Sequence, residues 1–179
     1  MKKYFIVVLL TTTILFAESF TLISNDLEGQ LSSKQLFNGF GCSGQNISPA
    51  LSWKHAPKGT KSFAITLYDP DAPTGSGWWH WVVFNIPNKV TSLIADAGDI
   101  EAALMPKEAI QSLSNYGTVG YGGACPPNGD GAHRYIFTVY ALDIEKLPLG
   151  ETAMPALVGF MISQHTIQKA SLLSYYERF

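Results

Sequence analysis

Two stretches of the chain collect the side chains that hold charge or move protons. The first, Y-D-P-D-A-P-T-G-S-G-W-W-H-W-V-V-F-N, runs from Tyr68 to Asn85 and sets Asp69, Asp71, Thr74 and His80 among prolines, glycines and tryptophans. The second, Tyr116 to Gly131, reads Y-G-T-V-G-Y-G-G-A-C-P-P-N-G-D-G and leads into His133-Arg-Tyr135. An imidazole has an ordinary pKa of about 6.5, so two histidines facing one cavity can donate hydrogen bonds to an oxyanion and gain charge as it binds. A carboxylate such as Asp69 orients one ring and favours its charged form. The same residue types serve two other chemistries, a metal-binding facial triad and His/Asp acid–base hydrolysis. Neither has its usual sequence support here: H-E-x-x-H, C-x-x-C and G-x-S-x-G are all absent, and no serine or cysteine nucleophile stands out beside a histidine. The residues therefore favour binding over catalysis, with no metal and no cofactor.

The elements that position these residues follow from their periodicity. Phe63 to Tyr68 alternates like a half-buried strand, and Trp81 to Phe84 is a continuous run suited to a strand covered on both faces. The first stretch is thus a loop joining two strands. His133 to Leu142 is the strongest strand in the chain, and its closeness makes the second stretch a defined loop rather than a linker. Arg134, next to His133 on that strand, faces the other way and is expected in an ion pair. Phe20 to Ser24 and Pro49 to Trp53 are shorter strand candidates, Asn25 to Pro49 is loop with at most short strands, and Met105 to Ile110 reads equally as a helical turn or a strand end. Gly39 to Gly44 fits G-x-G-x-x-G, but Pro49 interrupts the helix that a dinucleotide site requires. Late in the chain Thr152 is a candidate N-cap and Pro155 suits a first helical turn. Leu157, Phe160, Met161, Gln164, Ile167 and Gln168 then keep helical spacing, widened by Ala156, Ile162 and Ala170, for a helix of about four turns. His165 on this helix is expected to be structural. Residues 20–179 read as a single mainly β (α+β) domain.

Lys2-Lys3, the apolar run from Tyr4 to Phe16, and small residues at Ala17 and Ser19 read as a signal peptide over residues 1–19. The expected location is periplasmic or secreted, with no transmembrane anchor after cleavage, because no stretch approaches the roughly 20 apolar residues that spanning requires. Cleavage removes Lys2, Lys3 and Glu18, leaving ten basic residues against thirteen acidic ones. With no basic cluster, nucleic acid is excluded as the main partner. Cys42 and Cys125 are the only cysteines. Export makes a bridge between them the first reading and two buried thiols the second.

Taken together, Asp69-Pro-Asp-Ala-Pro73, Trp79-His-Trp81 and Cys125-Pro-Pro with His133-Arg-Tyr135 resemble the phosphatidylethanolamine-binding protein family, in its bacterial branch similar to Raf kinase inhibitor protein. The resemblance spans nearly all of the chain after the signal. It implies a two-sheet β-fold with a C-terminal helix and a small pocket at one end for phosphate or a phospholipid head group. Carried over by position, the ligand-binding residues are Asp69, His80, Pro126, Pro127, His133 and Tyr135, with Asp71, Pro73 and Trp79 shaping the wall. Some relatives are implied to inhibit a kinase or a protease, which makes a protein target the alternative partner.

Overall fold

The computed structural model describes residues 18–179, so the signal segment read at 1–19 lies outside the described residues except for its last two. Its centre is an antiparallel five-stranded sheet in the order β10-β9-β5-β6-β8, formed by Thr166–Tyr176, His133–Leu142, Ser62–Asp69, Trp78–Pro87 and Ile110–Gln111. A second sheet, β1-β4-β7, pairs Thr21–Ile23, Leu51–Lys54 and Ser92–Leu93. Asn38–Gly39 (β2) and Cys42–Ser43 (β3) form a small hairpin, and Pro155–His165 (α1) is the helix. The expected mainly β, two-sheet architecture is therefore observed.

The large sheet is covered on both faces. Leu22, Leu51 and Trp53 from the small sheet pack on Phe63, Ile65, Leu67, Trp81, Val83, Phe137 and Val139. On the opposite face Ala64, Val82, Phe84 and Leu142 meet Leu147, Val158 and Ile162. Strand β5 is consequently buried on both sides through Leu67 rather than half-buried, because its even positions carry Ala64 and Thr66, small enough to admit the layer around α1. The undecided segment Met105 to Ile110 is mostly a turn, in which the Ala109 N–H donates to the Pro106 carbonyl at 2.9 Å, and it enters strand β8 only at Ile110. Among the described residues no helix is long and apolar enough to cross a membrane.

The helix departs most from its sequence reading. It spans 11 residues and stops at His165, its N-cap is Met154 rather than Thr152, and no side chain caps it. Val158 and Ile162 are its buried pair, while Leu157 and Phe160 are exposed. From Thr166 the chain extends as β10, antiparallel to β9. The Thr166 hydroxyl donates to the Ile162 carbonyl at 2.7 Å, satisfying one of the helix's terminal acceptors. Ala170, Leu172 and Tyr176 then point inward at period two and join the core between the sheets. His165 sits at the helix end with Nδ1 2.9 Å from Asp143 Oδ1, away from the histidines of the pocket described next.

Candidate ligand-binding site

Three adjacent strands reach the same end of the large sheet. Strand β5 ends at Asp69, β6 begins at Trp78 opposite it, and β9 begins at His133, with Tyr68 registered against both Trp79 and Ile136. The antiparallel order thus gathers a carboxylate and two imidazoles that lie far apart in sequence. They line a cavity of about 180 Å³ together with Pro73, Pro126, Pro127 and Tyr135. Phe40, Ala72, Thr74, Trp78, Tyr116 and Cys125 complete the lining.

Two expected wall residues lie elsewhere. Alternation along β6 puts Trp78 on the His80 face and Trp79 on the other, where its ring lies 4.7 Å from that of Tyr68. A Cβ added to Gly159 of α1 would come within 3.2 Å of the Trp79 ring, so Trp79 belongs to the helix side of the sheet. Asp71 is turned toward Arg134: its Oδ2 accepts the Arg134 backbone N–H at 2.8 Å and Nε–H at 2.9 Å, and its Oδ1 accepts from Nη2 at 2.7 Å. The guanidinium holds the Asp71 carboxyl down at about 2. This is the ion pair expected for Arg134, and it removes Asp71 from the pocket.

His133 is held by two carboxylates. Its Nδ1 lies 2.7 Å from Asp69 Oδ2, with both side chains 3% exposed, and its Nε2 lies 3.2 Å from Asp130 Oδ2. The other Asp69 oxygen accepts the backbone N–H groups of Asp71 at 2.8 Å and Ala72 at 3.1 Å, which fixes that carboxylate from the D-P-D-A-P turn. Burial pushes the His133 pKa down, but the hydrogen bonds and charges of Asp69 and Asp130 outweigh it and leave it raised. Asp130 is the polar neighbour that sequence reasoning missed. It precedes His133 by three residues in a glycine-flanked turn, where an aspartate reads as turn chemistry.

His80 is held by backbone. Its Nδ1 lies 2.8 Å from the Gly122 carbonyl and 3.1 Å from that of Gly123. Carbonyls only accept, so the ring hydrogen is on Nδ1. Near-complete burial pushes the pKa down to about 4, against the opposing pull of these carbonyls and of Asp69. The carbonyls are positioned because their loop is anchored: Gly122 N–H donates to His80 O at 2.9 Å, and the Asn46 side chain spans Tyr121 O and Gly123 N–H at 3.0 and 2.8 Å. A Cβ on Gly123 would strike the backbone of Gln35 and Leu36, so only glycine allows this approach. The glycine-rich stretch is therefore the defined loop expected from its closeness to β9.

The rim is aromatic and covalently tied. Phe40 and Gly41 form the two-residue turn between β2 and β3 with φ of 52° and 79°, the left-handed pair that a tight hairpin needs. The turn holds Phe40 72% exposed at the mouth, 5.6 Å from the Tyr116 ring, which in turn stands edge-on to Trp78 at 5.3 Å. A disulfide joins Cys42 behind this turn to Cys125 beside Pro126, with a Cα–Cα separation of 5.9 Å. Closing 83 residues of chain stabilises by roughly 4–5 kcal/mol in the loop-entropy account. Deep in the wall, the Tyr135 hydroxyl is buried without a hydrogen-bond partner among the described residues.

The sequence model described as phosphatidylethanolamine-binding protein matches residues 20–177. The chain belongs to this family. Escherichia coli YbcL is 49% identical over 163 residues, covering 90% of this chain and 89% of that protein. Escherichia coli YbhB is 50% identical over 157 residues, covering 87% and 98% respectively. The crystal structure of Escherichia coli YbcL, described as a new member of the mammalian family, superposes with a TM-score of 0.87 over 89% of this chain and 99% of that one. A family homologue from Chlamydia trachomatis, at 30% identity, covers 90% of this chain and 99% of its own with a TM-score of 0.73. Family membership and the mainly β fold thus agree with the resemblance carried by the D-P-D-A-P, W-H-W and H-R-Y motifs.

Proposed function

We propose that the protein is an exported binding protein for a small phosphorylated or phospholipid head-group-like ligand, held without turnover in the pocket of Asp69, His80, Pro126, Pro127, His133 and Tyr135. The observation that carries this reading is the meeting of two buried imidazoles and an unpartnered buried tyrosine hydroxyl in one cavity of about 180 Å³. A buried polar group without a partner costs about 1–3 kcal/mol, which a ligand oxygen can return. Binding rather than turnover is favoured because the reactive candidates are engaged: Cys125 is in the disulfide and the Thr74 hydroxyl donates to Gly77 O at 2.6 Å. Export rests on the composition of residues 1–19 and agrees with the use of both cysteines in a bridge.

Titration with millimolar inorganic phosphate or phosphoethanolamine tests the binding reading, with the imidazole resonances as the readout. Both His80 and His133 are expected to shift; an unmoved pair contradicts the proposal. Export is tested by the mass and compartment of the expressed protein. Loss of residues 1–17 or 1–19 outside the cytoplasm is expected, and an intact chain retained inside is the contrary result.

A further inference from the structure

The pocket is polar at its floor and aromatic at its mouth. Asp69, His80, His133 and Tyr135 line the floor and are almost wholly buried, while Phe40, Trp78 and Tyr116 line the same cavity nearer to solvent. Of these three aromatics only Phe40 is left mostly exposed. Two features of Phe40 run against stability. Its φ of 52° lies in the left-handed region, where a bulky side chain is disfavoured and where a two-residue hairpin turn ordinarily takes Asn, Asp or Gly. Its apolar ring is also presented to water. Strain that the surroundings hold in place at the rim of a cavity points to a role for the side chain.

Those surroundings are specific. The base of the hairpin is joined to the glycine-rich loop through backbone, with the Phe37 N–H donating to the Ala124 carbonyl at 3.0 Å. Beyond that point the tip is tied to the pocket wall by the Cys42–Cys125 bridge, Cys125 being itself a lining residue, and by Arg178, whose Nη2 donates to the Gly41 carbonyl at 2.6 Å. Phe37 stacks on Tyr116 at 4.1 Å and stands 5.6 Å from Phe40, so the three rings make one apolar shelf beside the opening.

We propose that Phe40 is a specificity-determining residue: held at the mouth by the Cys42–Cys125 bridge, its ring packs against the organic arm of a phosphoester whose phosphoryl group lies on the histidine floor. This rests on the phosphate-like reading above and deepens it. The floor is closed by buried side chains, so a substituent on the phosphoryl group leaves through the mouth and meets the shelf. Burying apolar surface of ring and arm together adds affinity that inorganic phosphate cannot gain. The head-group phosphodiester of a phospholipid and a soluble phosphomonoester both carry such an arm. The two cysteines act through Phe40 and are positioning residues.

Calorimetric titration of the purified, oxidised protein at pH 7 tests this with four probes: inorganic phosphate, phosphoethanolamine, glycerophosphoethanolamine and monomeric dihexanoyl phosphatidylethanolamine. Each ester is expected to bind about tenfold more tightly than inorganic phosphate. Phe40→Asn suits the turn and so keeps the hairpin; it is expected to abolish that preference while inorganic phosphate binds within about twofold of before. The double variant Cys42→Ser, Cys125→Ser frees the tip and is expected to lose the preference too, with phosphate binding as the check that the floor is intact. Lipid binding tighter than that of the glyceryl diester, and lost with the ring, identifies a lipid arm; equal binding identifies a soluble phosphoester. Equal affinity for phosphate and the esters in the unaltered protein overturns the inference and leaves the phosphate-like reading standing. So does an ester preference that survives Phe40→Asn. Loss of all four probes in Phe40→Asn also overturns it, since the ring would then hold the site together rather than select its ligand. No binding of any probe by the unaltered protein overturns both readings.

Discussion

The two walls of the pocket build opposite histidines from the same residue type. On the β5/β9 side, carboxylates at 2.7 and 3.2 Å from His133 favour its charged form and hold its pKa above the ordinary value. On the β6 side, two glycine carbonyls and burial hold His80 neutral. Strand β5 runs between them, and the difference is not one of solvent exposure, since His133 and His80 are 2% and 3% exposed. It lies in what each ring nitrogen meets. Charge partners outweigh desolvation on one wall, and neutral dipoles fail to outweigh it on the other.

The comparison breaks most readily at Asp69. Asp69→Asn removes one member of a buried charged pair and is expected to destabilise by about 3 kcal/mol, read from chemical denaturation. His80→Phe removes a neutral donor and leaves two carbonyls short of it, for about 1–2 kcal/mol by the same measurement. Equal losses would mean that the walls do not differ as described.

The pH dependence of stability sharpens the contrast, because the two rings act with opposite sign. His80 folds with its pKa below the ordinary 6.5, at about 4, so the unfolded chain takes up the proton first. Its effect is a loss of stability as pH falls from about 6.5 to about 4, absent in His80→Phe. His133 folds with a raised pKa, so its contribution is complete below about 6.5 and is lost as pH rises through the folded value, a feature absent in His133→Phe. Observing either slope with the other sign contradicts the assignment.

The smallest effect is expected outside the cavity, at Arg134→Ala. The pair with Asp71 is solvent-exposed, so stability near neutral pH should scarcely change. The Asp71 carboxyl should instead return from about 2 toward its ordinary range, as followed by carboxyl resonances. In the intact protein its contribution is present above the ordinary carboxylate pKa and lost as pH falls through about 2. A marked loss of ligand binding in Arg134→Ala would show that this outer pair is part of the site after all.

The sequence makes the strands that carry the site easy to read, because β6 and β9 are long apolar runs with the histidines at or near their starts. It also carries the period-two rule that places Trp78 with His80 and Arg134 away from His133; applied to Trp79, the same rule excludes it from the wall. Strand β10 was hidden because Ile167, Gln168 and Ala170 fit helical spacing as well as they fit a strand. The alternation of Ala170, Leu172 and Tyr176 was the competing signal, and tertiary pairing with β9 decided it. Phe40, Tyr116 and Asp130 could not be found by periodicity at all, since they sit on loops whose paths are set by a disulfide, by the Asn46 bridge and by glycine contacts.

Direct observation of the ring nitrogens at pH 7 by ¹⁵N resonance tests the central claim most closely. The structure predicts hydrogen on Nδ1 and a bare Nε2 for His80, and hydrogen on both nitrogens for His133. A His80 carrying its hydrogen on Nε2, or doubly protonated at that pH, would contradict the account.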